Sequence, residues 1–343
     1  MKKILLISGI CVFAILFMFP SEFASGFSAG LSNCAQVVIP SLFPFLVASS
    51  LVGAGDMPPL VKKIAEPITQ KMYRLPGDCL PAIILGQLGG YLSGAKAAET
   101  LYSSGVLSKN QTRKLLLFCV NSGVGFSVNA VGNALLGSRD AGKILLVSLC
   151  FSSLITGLFI RFLPDSIDKP PKHIRQKSSF SSAVVNSVSS ASSSMLSCCG
   201  FVCFFSGTIS VIGGIIDNQT AKIFVSGLLE VTSGCAEAAG KISVPSLAAV
   251  CAFGGLCVHM QIFSLSKDFG INIPLFYVFR IIHSFFAYAV CKTIIYFYPI
   301  EITASVPLGV NVELWSFSAP AAVSLLFLCS LLILDLDNGR ELC

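Results

Sequence analysis

Ten apolar runs follow one another along this chain of 343 residues, most of them near the twenty or so residues that a helix needs to cross a bilayer. They fall at about 4–19, 28–54, 79–95, 114–137, 142–163, 183–215, 222–240, 246–266, 274–298 and 317–334. Hydrophobic residues make up 54% of the chain and charged residues 12%, the latter about half the share usual in a soluble domain. Mean hydropathy is +0.81. A surface this apolar is matched to lipid, which excludes a soluble enzyme domain, a disordered chain and a nucleic-acid binder. The net charge of +6 resides in short loops, where Lys and Arg set topology.

The fourteen cysteines sit mostly inside apolar runs. There a free Cys behaves as a small hydrophobe. No pair of CxxC motifs occurs and the three histidines are far apart, so neither a metal site nor a cofactor is expected.

Two runs are poor spans. The run at 79–95 is short and carries Gly86, Gly89, Gly90 and Gly94. The run at 222–240 holds Glu230 between Gly227 and Gly234. Broken or re-entrant segments have this composition. If both are re-entrant and the N-terminus is cytoplasmic, the inner loops collect Lys62, Lys63, Lys71, Arg74, Lys96, Lys109, Arg113, Lys114, Lys169, Lys172, Arg175 and Lys177. The outer loops keep mainly Arg139, Lys143, Lys222 and Lys241, as the positive-inside rule requires. The expectation is an all-α polytopic membrane protein with about eight transmembrane helices and two re-entrant segments, both termini lying in the cytoplasm.

The two halves echo each other. Ser93-Gly94-Ala95-Lys96-Ala97-Ala98 is matched by Ser233-Gly234-Cys235-Ala236-Glu237-Ala238-Ala239, and Cys119-Val120-Asn121-Ser122-Gly123 by Cys251-Ala252-Phe253-Gly254-Gly255. Each half would cross three times, which makes this an inverted-topology repeat, as in many secondary transporters. The expected divisions are a first span or signal-like segment at 1–27, a first repeat at 28–163 and a basic cytoplasmic linker at 164–182. A second repeat at 183–298 and an outer loop with a last span at 299–343 complete the chain.

Several intramembrane residues could carry chemistry. Gly86, Gly90 and Gly94 recur at i, i+4 and i+8, which permits close backbone approach on a helix. Asn121, Gly125, Asn129 and Asn133 share a helical face, and Asn121-Ser122-Gly123 invites unwinding. Glu230 is costly at the bilayer centre, so it needs water or a partner, either a coupled ion or a cation such as Arg280. Arg280 and His283 share one face of their helix. His259 follows the Gly254-Gly255 pair. No Ser-His-Asp set, HExxH or GxSxG is present, so no enzymatic activity is expected.

Pro40-Ser41-Leu42-Phe43-Pro44-Phe45, Gly90-Tyr91-Leu92-Ser93-Gly94-Ala95-Lys96, Gly254-Gly255-Leu256-Cys257-Val258-His259-Met260-Gln261 and Arg280-Ile281-Ile282-His283 together resemble the YlbJ family of sporulation integral membrane proteins, which contain the nucleoside-recognition, or gate, domain. The resemblance covers about residues 30–295. It implies a fold similar to concentrative nucleoside transporters and a place in the outer forespore membrane, moving dipicolinate. Leu92 departs from the family's Gly-Tyr-Pro, and Asn121-Ser122-Gly123-Val124-Gly125 from its Asn-Ser-x-Asn-Pro.

The function expected is secondary transport of a small planar anion, with a non-transporting sporulation scaffold or a nucleoside-type transporter as alternatives. Substrate or ion binding is expected of Lys96, Asn121, Ser122, Asn129, Glu230, Ser233, His259, Arg280 and His283. Close packing or hinging is expected of Gly86, Gly90, Gly94, Gly123, Gly234, Gly254 and Gly255. The expected partners are the anionic solute, membrane lipid and a coupling ion, Na⁺ or H⁺, with a homo-oligomer left open and no nucleic acid.

Overall fold

A computed structural model describes residues 9–300 apart from 11–13, 15–16, 55–56, 165–169 and 172–178. The run at 317–334, both termini, most of the run at 4–19 and most of the basic linker lie outside the described residues. Among those described there are helices and no strands.

Helix starts follow the sequence closely. Pro occupies the first turn of α1 (Pro20–Asn33), α3 (Pro59–Tyr73), α4 (Leu80–Gly89), α11 (Val244–Phe253) and α13 (Ile273–Phe297), where its missing N–H costs nothing. Ser108 and Gln111 form a reciprocal capping box at the start of α6 (Lys109–Leu116). Single caps from Ser138, Ser179 and Asn218 open α7 (Arg139–Leu158), α8 (Phe180–Ile215) and α9 (Gln219–Leu229). The remaining helices are α2 (Ile39–Ala54), α5 (Tyr91–Ser103), α10 (Val231–Ala238) and α12 (Gly255–Leu265).

Two stretches are wound more widely than an α-helix. Cys34–Val38 joins α1 to α2, where the Ile39 N–H reaches back five residues to the Cys34 carbonyl. Gly125–Leu135 is a longer one. Such widened turns are uncommon and often mark functional sites.

Among the described residues, five helices are long and apolar enough to cross a membrane: Pro20–Val52, Arg139–Phe162, Phe180–Ile215, Val244–Leu265 and Ile273–Phe297. The run at 114–137 is not a continuous helix. Residues 117–123 lie outside the helices, between α6 and the wide stretch at Gly125–Leu135. At 36 residues, α8 would extend about 54 Å, well beyond a hydrocarbon core of about 30 Å.

The two short runs are each a helical hairpin. The first joins α4 to α5 at Gly90, and the second joins α9 to α10 at Glu230. α1 and α2 pack on α8, α7 packs on α13, and α5 lies between α2 and α12. A large apolar core runs through α4 to α7 and α11 to α13. A smaller one, containing Cys34, Leu46, Leu92, Cys198 and Cys257, joins α1, α2 and α8 to the hairpin side.

Candidate functional site

The hairpins close through glycine. Gly86 on α4 and Gly94 on α5 face each other, and a Cβ on either would collide with the Cys119 carbonyl. Gly227 and Gly234 meet in the same way between α9 and α10. The glycine ladder therefore does not lie along one helix. Gly90 has left it to form the turn, with φ of 103°, a value that favours glycine. Gly86 and Gly94 are brought together across that turn.

Each hairpin tip rests on a break in another helix. A Cβ on Gly123 would strike the backbone of Leu88, Gly89 and Gly90. One on Gly255 would meet Leu229, Glu230 and Val231, 3.2–3.3 Å away. α11 ends and α12 begins at Gly254 and Gly255, which have φ of 88° and 76°. The carbonyls freed at these breaks find buried donors. Arg280, 1% exposed on α13, donates from Nη1 to Val120 at 2.7 Å and from Nη2 to Leu117 at 2.8 Å. The Tyr91 hydroxyl donates to the Cys251 carbonyl. His259 Nε2 lies 2.8 Å from the Phe253 carbonyl oxygen, which can only accept, so that nitrogen carries the hydrogen.

Glu230 is 2% exposed and caps α10 with its own carboxylate. Oε1 accepts from the Thr232 N–H at 2.9 Å, and Oε2 from the Ser233 N–H at 2.7 Å and hydroxyl at 2.8 Å. These bonds, with the positive end of α10, offset the cost of holding a carboxylate at depth. Glu230 does not pair with Arg280, whose guanidinium is committed to the break.

The tips, the first break and the widened turn in the first span surround a cavity. Its volume is about 60 Å³, and it is partly open to the outside. Gly90, Tyr91, Gly123, Glu230, Thr232 and Gln261 line it, together with Val37, Ser41 and Leu42 from the first span and Cys198 and Val202 from α8. No Lys or Arg is among the lining residues. α5 begins at this cavity without a side-chain cap, so it presents the positive end of its dipole there.

Other residues singled out in the sequence lie elsewhere. Lys96 is bound to Glu99 at 2.8 Å. Asn121 donates to Gln87 at 2.8 Å, and Gln87 donates to Ser153 at 3.0 Å, a buried chain behind the tip. Ser122 shares a hydrogen bond with Ser127 at 2.8 Å. Asn129 and Asn133 are exposed. The common face expected of Asn121, Asn129 and Asn133 needs one continuous helix, and Asn121 lies in the non-helical break at 117–123, ahead of the wide stretch Gly125–Leu135. His283 sits 3.3 Å from the Leu149 carbonyl oxygen, fully buried. Among the described residues eleven cysteines are free and no group suits a metal. The role of Tyr91 at the second break was not visible in the sequence, because nothing local pairs residue 91 with residue 251.

No protein-family profile matches the chain, and no solved structure matches it. It is similar to the sporulation integral membrane protein YlbJ of Bacillus subtilis (strain 168), 28% identical over 148 residues. That match covers 43% of this chain and 36% of YlbJ, so it spans little more than a third of that protein's length. The apolar helices and this relative make the chain a multi-pass membrane protein. The motifs quoted above and this match both liken the chain to YlbJ.

Proposed function

We propose that the chain is a secondary transporter acting in bacterial spore formation, and that its solute binds between the two hairpin tips. The observation that carries this reading is the convergence of two hairpin tips and a helix break on one cavity. Non-helical backbone at membrane depth is tolerated where it lines a cavity, and broken helices of this kind hold solutes in transporters. The order of span, hairpin, broken helix and span occurs twice along the chain, which supports an inverted repeat and motion of one half against the other.

The solute proposed is a small planar anion, with dipicolinate the candidate that the family resemblance implies. Arg280 and Lys96 do not supply its counter-charge. The uncapped start of α5 is the positive feature at the cavity, while Glu230 is the cavity's own carboxylate. Sporulation enters through the relative's name and through the motifs.

The test is uptake of labelled dipicolinate by purified protein in liposomes. Uptake above protein-free vesicles is expected. Absence of uptake, together with normal dipicolinate in spores that lack the protein, would overturn transport and leave the scaffold.

A further inference from the structure

The segment between the first span and the first hairpin reads as a basic loop in the sequence, yet it folds as α3, 15 residues long. At about 22 Å it is too short to cross the bilayer. Its two sides are unlike. Ala65, Thr69 and Tyr73 are buried, Lys62 reaches Asp78 at 2.7 Å, and the Glu66 carboxylate accepts the Gly77 N–H at 2.6 Å. Those contacts fasten α3 to the 3₁₀ turn at Gly77–Cys79, just ahead of the first hairpin. The opposite side carries Leu60, Ile64 and Ile68 at i, i+4 and i+8, exposed to 70%, 59% and 47%. Lys63 lies beside this stripe and Lys71 at its C-terminal end. Both are exposed, and neither has an ion-pair partner among the described residues.

The position of α3 says what covers the stripe. It packs on Phe159–Phe162, the turn that ends the spanning helix α7. Phe162 there is 80% exposed. A helix fixed where a span ends lies at the boundary between hydrocarbon and water. An apolar stripe edged by lysines at that level is the pattern of an interfacial helix.

We infer that α3 is a docking surface for anionic phospholipid. Leu60, Ile64 and Ile68 enter the acyl chains, and Lys63 and Lys71 hold headgroup phosphates. This does not depend on transport or on the cavity. Its consequence is mechanical: the bilayer surface grips the element that leads into the first hairpin.

The experiment uses full-length protein in vesicles. Trp315 is the chain's single Trp, so Trp315→Phe provides a silent background for Ile64→Trp, with Ile68→Trp as a second reporter. Both replace exposed side chains. Brominated phosphatidylglycerol and brominated phosphatidylcholine are compared as quenchers at equal mole fraction. Quenching by brominated chains is expected, and more of it from the anionic lipid, since each basic residue at an anionic surface enriches it about fivefold. Lys63→Gln with Lys71→Gln should abolish the preference and keep the quenching. Equal quenching by the two lipids in the unsubstituted background would overturn the headgroup assignment. Quenching by aqueous iodide alone, or by none of the three, would place the stripe against water or another protein and overturn the whole inference.

Discussion

The two hairpin tips have one architecture and two chemistries. Both arms close through facing glycines, and both tips rest on a helix break. At the second tip, Glu230 takes extended backbone and folds its carboxylate onto the first N–H groups of α10. At the first tip, Gly90 brings no side chain, and α5 opens toward the cavity uncapped. The second tip thus carries its own anion, and the first brings none. The comparison suggests a division of labour, with the first tip receiving a negative group of the solute and the second fixing its own conformation through Glu230.

The breaks differ in the same spirit. The first is held by a charged donor, Arg280, and the second by the Tyr91 hydroxyl and the His259 imidazole. Arg280 belongs to the last described helix and serves the first break. Tyr91 belongs to the first hairpin and serves the second. Each break therefore receives a donor from the other half of the chain, with His259 adding one from its own half at the second, which ties the halves together.

The largest effect should come from Arg280→Leu, which orphans two buried carbonyls at roughly 1–3 kcal/mol each. The variant should lose much of its thermal stability in detergent. Arg280→Lys should recover only part, because an ammonium lacks the planar fork that reaches both carbonyls. A melting temperature unchanged by Arg280→Leu would mean the break does not need its cap.

Next is Gly94→Ala, whose methyl would meet the Cys119 carbonyl and the Gly86 backbone. Overpacking of this kind costs about 1–3 kcal/mol. Gly200→Ala is the internal control, since a methyl there meets nothing within 4 Å. Equal melting temperatures for the two variants would show that the hairpin arms are not in contact.

A smaller loss is expected from Glu230→Ala, near the 0.5–2 kcal/mol typical of a lost N-cap, or about 1 kcal/mol. Placing a carboxylate at the first tip instead, as Gly90→Glu, should abolish anion uptake. Uptake preserved in that variant would contradict the division of labour.

The mildest change is Tyr91→Phe, which removes one hydrogen bond worth about 1 kcal/mol and keeps the ring against Gly254. It should lower the barrier between conformations more than it lowers stability. A changed uptake rate at near-constant melting temperature is the expected signature, and an unchanged rate would deny that the cap couples the halves.

Much of this frame is legible in the chain. Short apolar runs dense in glycine announced the hairpins, and Asn121-Ser122-Gly123 and Gly254-Gly255 announced the breaks, because glycine both unwinds a helix and admits a second backbone. Glu230 was legible as a buried acid in need of partners. Its partners were not, since an N-cap at a hairpin tip and an ion pair across helices look the same in sequence. Arg280 shows the same limit: a buried cation can face a carboxylate or backbone carbonyls, and only the fold decides. Asn129 and Asn133 were misplaced for a different reason. Their spacing argues a face shared with Asn121 only if one helix runs through all three, and residues 117–123 are not helical. α3 was hidden because its lysines dominated the reading of a segment whose apolar residues face outward.

The central claim is that the solute occupies the space between the tips. Leu42→Trp would place an indole in that space from a residue that lines it and packs on the edge of the smaller core. Uptake of labelled dipicolinate should be measured in liposomes for this variant and for the unmodified chain, beside the melting temperature of each. The account predicts uptake by the unmodified chain and its loss in Leu42→Trp with the fold intact. Equal uptake by a folded Leu42→Trp protein would show that solute passes elsewhere, and would contradict the account.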